Sequence, residues 1–333
     1  MSSISVVIPC FNREASIGRT LRNVLEQSRR PDEVIVVDDG STDQSARIVR
    51  EFGGRVTLIR QENQGPGAAR NRGLDASRGD YVWFMDSDDL ASGNQLELQW
   101  KALIESGADI AYGPWIRSRI EQDRIDFLGP VLQAEALPAS RSMLEWQLGS
   151  WSTIFQACLF SRKALERAGR YSTDMRVAED GEYLVRILAS GARTTFVRGS
   201  LLFYRSDGSD QLTHTTDAAD KNASDHTRYF ERVCETLRSQ IPKLSSAALR
   251  DLGLQIYRHD RFCKSHGGSG LSPNSPALEI VERVGLPVLR VLDCYERFER
   301  KIRGLAGDLP ASKGMQSTLA GAHERALAQC ISE

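Results

Sequence analysis

The chain has 333 residues, 41% of them hydrophobic and 26% charged, and a formal net charge of −1. The length suits one large α/β domain with an extension, or two domains. The near-neutral balance excludes a general nucleic-acid binder, because no basic excess exists to neutralise phosphates, and six scattered cysteines without a CxxC pair exclude a cysteine-built metal or redox motif and predict free thiols.

Apolar runs and helical spacings alternate through the first third of the chain. Ile4–Pro9 predicts a strand, and Ile17, Leu21, Val24 and Leu25 then recur at helical spacing. Val34–Val37 is a second strand, followed by a helix with Asp43 at its start and Ala46, Ile48, Val49 and Phe52 on its apolar face. Val56–Ile59 is a third strand, Gly67–Ser77 an Ala- and Arg-rich helix, and Tyr81–Met85 a fourth strand. A helix carrying Leu96, Leu103 and Ile104 and a short strand at Asp109–Tyr112 follow. Strands alternating with helices imply βαβ units and a mainly parallel sheet.

Residues 114–150 are polar and interrupted by Pro130 and Pro138, which predicts irregular structure or a short hairpin. Periodicity returns at Ile154–Phe160, Arg162–Ala168 and Glu179–Ala189, and Thr194–Val197 and Leu201–Tyr204 read as short strands. Residues 221–262 read as helical, Gly267–Pro276 as a linker, and Val281–Ile302 as an amphipathic helix with Arg283, Arg290, Arg297, Arg300 and Lys301 beside its apolar face.

Chemistry-bearing residues gather where strands end. The run Tyr81-Val82-Trp83-Phe84-Met85 stops at Asp86-Ser87-Asp88-Asp89. Open α/β sheets bind ligands at that edge, and crowded carboxylates there call for a hard cation such as Mg²⁺ or Mn²⁺, or else form a solvated acidic turn. Pro9-Cys10-Phe11-Asn12 ends the first strand; Phe11 can stack on a base or simply pack. Asp38 and Asp39 end the second strand before the turn at Gly40. Gly65-Pro66-Gly67 opens a helix carrying Arg70, a guanidinium suited to phosphate or base oxygens. Glu179-Asp180 opens a later helix, where acids also serve merely to balance a helix N-terminus. No GxGxxG follows the first strand and no GxxxxGK[ST] occurs, so neither a dinucleotide fingerprint nor a P-loop is present.

Together the stretches at 6–14, 37–43, 63–73 and 79–89, with Glu179-Asp180, resemble the family 2 glycosyltransferases. The resemblance covers residues 1–210. It implies the GT-A fold, an α/β fold with a mostly parallel sheet flanked by helices, here with a mainly helical C-terminal extension. It divides the chain into a catalytic domain at 1–213, with a nucleotide-binding half at 1–113 and an acceptor-binding half at 114–213, and a C-terminal region at 214–333. It implies a nucleotide-diphospho-sugar donor, UDP-linked in the first instance, held by Pro9, Phe11, Asn12, Glu14, Asp38, Asp39, Gly65, Arg70, Asp86 and Ser87. Asp39 would accept from the base N–H. Asp88, with Asp86 and His214, would hold Mn²⁺ or Mg²⁺, and Arg205 would stand nearby. Asp180 would be the general base of an inverting transfer, with Glu179 supporting the acceptor, a glycan, a lipid-linked saccharide or another hydroxyl compound.

A sugar nucleotidyltransferase would carry a Gly-rich loop where Pro9–Asn12 stands, and a non-catalytic binding module has no need of Asp39, Asp86, Asp88 and Asp180 together. The family's processive members carry QxxRW and membrane helices; this chain shows neither, so one sugar per binding event is expected. Without a secretory signal or a stretch of about 20 apolar residues, a cytoplasmic location is expected. Peripheral contact with the inner membrane face through the C-terminal helices, and a homodimer, are further expectations for that region.

Overall fold

The computed structural model describes residues 2–286 apart from 122–123, 150–152, 208–217 and 266–269, together with 288–290 and 293. In chain order the elements are β1 (Ile4–Cys10), α1 (Ile17–Leu25), β2 (Glu33–Asp38), α2 (Ser45–Arg50), β3 (Thr57–Arg60), α3 (Pro66–Ala76), β4 (Tyr81–Phe84), β5 (Leu90–Ala91), α4 (Gln95–Ser106), β6 (Ile110–Tyr112), β7 (Trp115–Glu121) and β8 (Arg124–Phe127). There follow α5 (Met143–Gln147), β9 (Cys158–Ser161), α6 (Arg162–Ala168), α7 (Glu179–Ala189), β10 (Thr194–Phe196), β11 (Leu202–Arg205), α8 (Ala218–Leu237), α9 (Ser246–Ser265) and α10 (Pro276–Val284).

The main sheet has seven strands in the order β10-β6-β9-β4-β1-β2-β3. β1 pairs in parallel with both β2 and β4, and only β9 runs antiparallel, against β4 and β6. Helices cover both faces, which is why β1 and β2 read as almost continuous apolar runs; Val6, Val7, Ile8, Val36 and Val37 are wholly buried. From β1 the chain proceeds to β2 and β3 on one side and then crosses to β4 on the other. The carboxyl ends of β1 and β4 therefore flank the point where strand order reverses, and a crevice opens there.

α3 lies close on this sheet because Gly73 has no side chain. A Cβ built there would stand 2.3 Å from Val7 Cγ1 and 3.3 Å from Val37 Cγ2. Gly73→Ala is therefore expected to force the helix off the sheet and to cost about 1–3 kcal/mol by overpacking, read as a lower urea midpoint with an unchanged slope.

Of the two forms expected for residues 114–150, the hairpin is present, and it belongs to a sheet. β7 alternates buried and exposed residues and forms a hairpin with β8, inside a second sheet ordered β5-β11-β7-β8. α5 is a short helix with a capping box between Ser142 and Glu145. Ile154–Phe160 is a single 3₁₀ turn leading into β9.

The helix expected over Val281–Ile302 is broken at Gly285: the described residues 286, 288–290 and 293 are helical again, and 287 and 291–292 lie outside the described part. α10 begins at Pro276, with Ser275 capping it, and stops at Val284, because Gly285 takes a φ of 91° that ends the helical path. Residues 294–302 lie outside the described part. α8, α9 and α10 bury Phe230, Val233, Leu252, Ile256 and Ile280 in one cluster that also takes in Leu148 and Val185. Val185 is on α7, so the C-terminal helices share a core with the helix that bears Asp180. Cys10, Cys158, Cys234 and Cys263 are buried and unbridged. Among the described residues no helix is long and apolar enough to cross a membrane.

Candidate active site

The loops after β1, β2 and β4 and the start of α3 meet at the crevice. Asn12 adopts a φ of 50°, a left-handed conformation that asparagine tolerates. Its Oδ1 accepts from the Thr42 N–H at 2.9 Å, and its own N–H donates to Ser41 Oγ at 3.0 Å. Glu14 Oε2 accepts from the Gln44 N–H at 2.8 Å. Asn12 and Glu14 thus knit the two loops together. Pro9 sits inside β1 opposite Val37, and Phe11 projects from the loop 41% exposed.

The two aspartates after β2 are buried and differently occupied. Asp38 accepts from the Ser41 N–H at 3.0 Å and pairs with Arg60 Nε at 2.8 Å, so it closes the turn. Asp39 accepts from the Gln64 N–H at 2.9 Å, the Gly65 N–H at 2.8 Å and Gln61 Nε2 at 2.8 Å. It holds the start of α3 in place, where Gly65 has a φ of 91°. A carboxylate offers about four acceptor positions, so one remains for a base N–H.

Arg70, on α3, is the centre of the site. Its Nη2 donates to Asp86 Oδ1 at 2.7 Å and its Nη1 to Glu179 Oε1, while the guanidinium lies 5.6 Å from the centre of the Tyr171 ring. Asp86 also accepts from Gln156 Nε2. Burial opposes the charge on Arg70, but Asp86 and Glu179 outweigh it and hold its pKa well above the ordinary value. Burial pushes the Glu179 carboxyl up against the pull of Arg70. Burial also raises Asp180, again opposed by Arg70 and reinforced by Asp86. Desolvation therefore sets the direction at the two acids, and the neighbouring carboxylates set it at Arg70.

Asp88 sits beside Arg13 Nε and Arg205 Nη1, each at 3.3 Å from Oδ2. Both guanidinium groups pair with this carboxylate. Arg205 also reaches Asp207, at 3.4 Å. Asp89 is buried, accepts from the Arg205 N–H at 2.8 Å on Oδ1, and has no partner on Oδ2. Burial, then Asp88 and Asp86, raise its pKa well above the ordinary value. These carboxylate oxygens, paired with guanidinium groups at Asp88 and without a hydrogen-bond partner at Asp89 Oδ2, are of the donor type that a hard divalent cation takes. Among the described residues no three metal-ligating side chains converge on one point, so such an ion would share its coordination with a diphosphate. His214 lies outside the described residues. Ser87 is buried between the two aspartates.

Glu179 and Asp180 open α7. Ala178, the residue before them, has a φ of 63°, and Asp180 Oδ1 accepts from the Gly181 N–H at 2.7 Å. Sequence spacing pointed to both acids but not to Arg13, Gln156 or Tyr171. Arg13 adjoins the Phe11-Asn12 motif and was open to notice. Gln156 and Tyr171 sit in no motif, and only the return of β9 and the loop before α7 bring them in.

Residues 5–169, about half of the chain, match the family described as Glycosyl transferase family 2. The chain belongs to this family. Glycosyltransferase GlyA of Streptococcus pneumoniae is 30% identical over 217 residues, which are 61% of this chain and 30% of GlyA. The chain thus spans less than a third of that relative. S. aureus TarS in complex with UDP-GlcNAc shares the fold with a TM-score of 0.61 at 20% identity, over 80% of this chain and 74% of that one. The mannosyltransferase PcManGT of Pyrobaculum calidifontis in complex with GDP-Man and Mn²⁺ superposes with a TM-score of 0.54 at 18% identity, over 99% of this chain and 86% of that one. The chain is a glycosyltransferase of α/β architecture with a mostly parallel central sheet, as the motifs predicted.

Proposed function

We propose that this glycosyltransferase moves a sugar from a nucleoside-diphosphate donor, UDP-linked in the first instance, to a hydroxyl of a glycan, lipid-linked or other saccharide acceptor, with inversion. One observation carries the reading: Arg70 ties Asp86, on the donor side of the crevice, to Glu179, the neighbour of Asp180. Donor carboxylates and a candidate base are held in one constellation. Residues 1–113 would bind the donor, with Phe11 against the base and Asp39 on its N–H, and residues 114–213 would frame the acceptor.

Asp88, with Asp86, would hold Mn²⁺ or Mg²⁺, and the Mn²⁺ complex of PcManGT supports the choice of ion. When bound, the ion supplies charge neutralisation for the leaving diphosphate. Asp180 takes the acceptor proton. The acceptor oxygen then bonds to the anomeric carbon on the face opposite the diphosphate, whose C–O bond breaks.

The test is binding and turnover with defined nucleotides. UDP with Mn²⁺ is expected to raise Tm more than UDP alone, and more than GDP or dTDP with Mn²⁺. Asp88→Ala is expected to abolish the Mn²⁺-dependent part of the UDP shift. An undiminished shift in that variant removes Asp88 as a ligand, and a larger response to GDP transfers the donor assignment.

A further inference from the structure

The acids at the start of α7 have no side-chain cap of their own. The loop that delivers them is held instead from behind, by α8. Asp225 is buried on that helix, and its Oδ2 accepts from two consecutive backbone N–H groups, Arg176 at 2.8 Å and Val177 at 3.2 Å. Its Oδ1 accepts from Arg228 Nη1 at 2.8 Å, which keeps the carboxylate oriented. One helical turn further on, Arg232 donates to Ser172 Oγ at 2.7 Å and to both oxygens of Asp174. Tyr229 presents its ring to Gly181, where a Cβ would stand 3.6 Å from Cε2.

The same loop faces the donor side. Arg176 Nη2 lies 3.4 Å from Asn63 Oδ1, and its side chain runs along Gly65. Immediately after Val177 comes Ala178 with its positive φ, then Glu179 and Asp180. Alanine in a left-handed conformation costs energy, so the surroundings must impose it. Two charge-assisted bonds to the preceding N–H groups do so. α8 lies beyond residues 5–169, the part matched to the family.

We propose that Asp225 is a positioning residue for the transfer reaction: by accepting from Arg176 and Val177 it sets the backbone that aims Asp180 at the acceptor hydroxyl. This rests on the reading of Asp180 as base. A misplacement of about 1 Å at a reacting group costs about 100-fold in rate, so removing the anchor is expected to act on kcat more than on the donor site, which the loop meets through Arg176 beside Asn63 and Gly65. The groups whose charge bears on Asp180 include its neighbour Glu179, Arg70 on α3, Asp86 after β4, and the phenols Tyr171 in the loop before α7, Tyr204 on β11 and Tyr229 on α8.

The experiment compares Asp225→Ala, Asp225→Ser, Asp225→Asn and Asp180→Asn in the full chain. For Asp225→Ala, kcat is expected to fall about 10- to 100-fold, with a smaller change in donor KM. The acidic limb of its kcat–pH profile is expected to move down, because a loosened loop exposes Asp180 to water. Asp225→Asn keeps an acceptor oxygen and is expected to retain most of the rate with the limb near its wild-type place; if the alanine variant does not fold, Asp225→Ser, whose shorter side chain does not span to both N–H groups, carries the test through the same limb. A wild-type kcat in Asp225→Ala or Asp225→Ser, or a lower kcat with the limb unmoved, overturns the positioning role. Retained transfer in Asp180→Asn overturns the base reading itself, whatever the Asp225 variants do.

Discussion

Asp180→Asn is expected to lower kcat by about 10²–10⁴-fold, the contribution of a positioned general base. The substitution is isosteric, and the amide oxygen can keep the bond that Asp180 Oδ1 accepts from the Gly181 N–H. Stability and UDP binding should therefore change little, so the loss is chemical rather than structural. The pH dependence follows from the sign of the shift. A base must be ionised, so activity disappears as pH falls through its pKa. Burial holds Asp180 above the ordinary carboxylate value, so the acidic limb of kcat should lie above the usual value of about 4. Asp180→Asn should remove that limb along with the rate. Transfer within about threefold of wild type, with the limb in place, would exclude Asp180 as the base.

Arg70→Met is expected to be the most destabilising single change in the site. Methionine fills much of the volume but leaves Glu179 buried and without its cation, and Asp86 without one of its two partners. Removing one member of a buried pair costs about 3–5 kcal/mol, because the other charge stays desolvated. The cost should depend on pH. Glu179 already binds its proton more tightly in the folded state than in the unfolded chain. A carboxyl of that kind favours folding below its unfolded pKa and loses that contribution as pH rises to its folded pKa. Without Arg70 the folded pKa rises further, so the window extends to higher pH. The Tm of Arg70→Met should thus fall further behind wild type at pH 8.5 than at pH 5.5, and Arg70→Met combined with Glu179→Gln should recover part of the loss. An equal deficit at both pH values would show that Glu179 does not carry the buried charge.

The residues proposed for the donor side stand out in the sequence because they lie within short motifs. A strand that must be buried on both faces announces itself as an apolar run, and the polar residues that end it mark the ligand edge. Asp38, Asp39, Gly65 and Asp86 to Asp89 were found in this way. Their local work was less legible. That Asp39 spends three acceptor positions on the start of α3, and Asp38 on Arg60, depends on contacts between loops distant in sequence. The second sheet was obscured because β7 is set among polar residues, and its pairing with β11, itself legible as a strand, joins residues about 90 apart, which no local pattern records.

By itself the sequence determined the alternation of strands and helices, the carboxylate cluster after β4 and the acidic pair at 179–180, since each is a local pattern of burial and charge. Only the tertiary structure decided what those acids face. Arg70 was expected to turn to a phosphate or a base; in the folded chain it bridges Asp86 and Glu179, 93 residues apart. Charge interactions act across space rather than along the chain, and a desolvated guanidinium takes the nearest carboxylates that folding brings to it. The same reason put Asp225, on a helix read only as an extension, beneath the loop that presents Asp180.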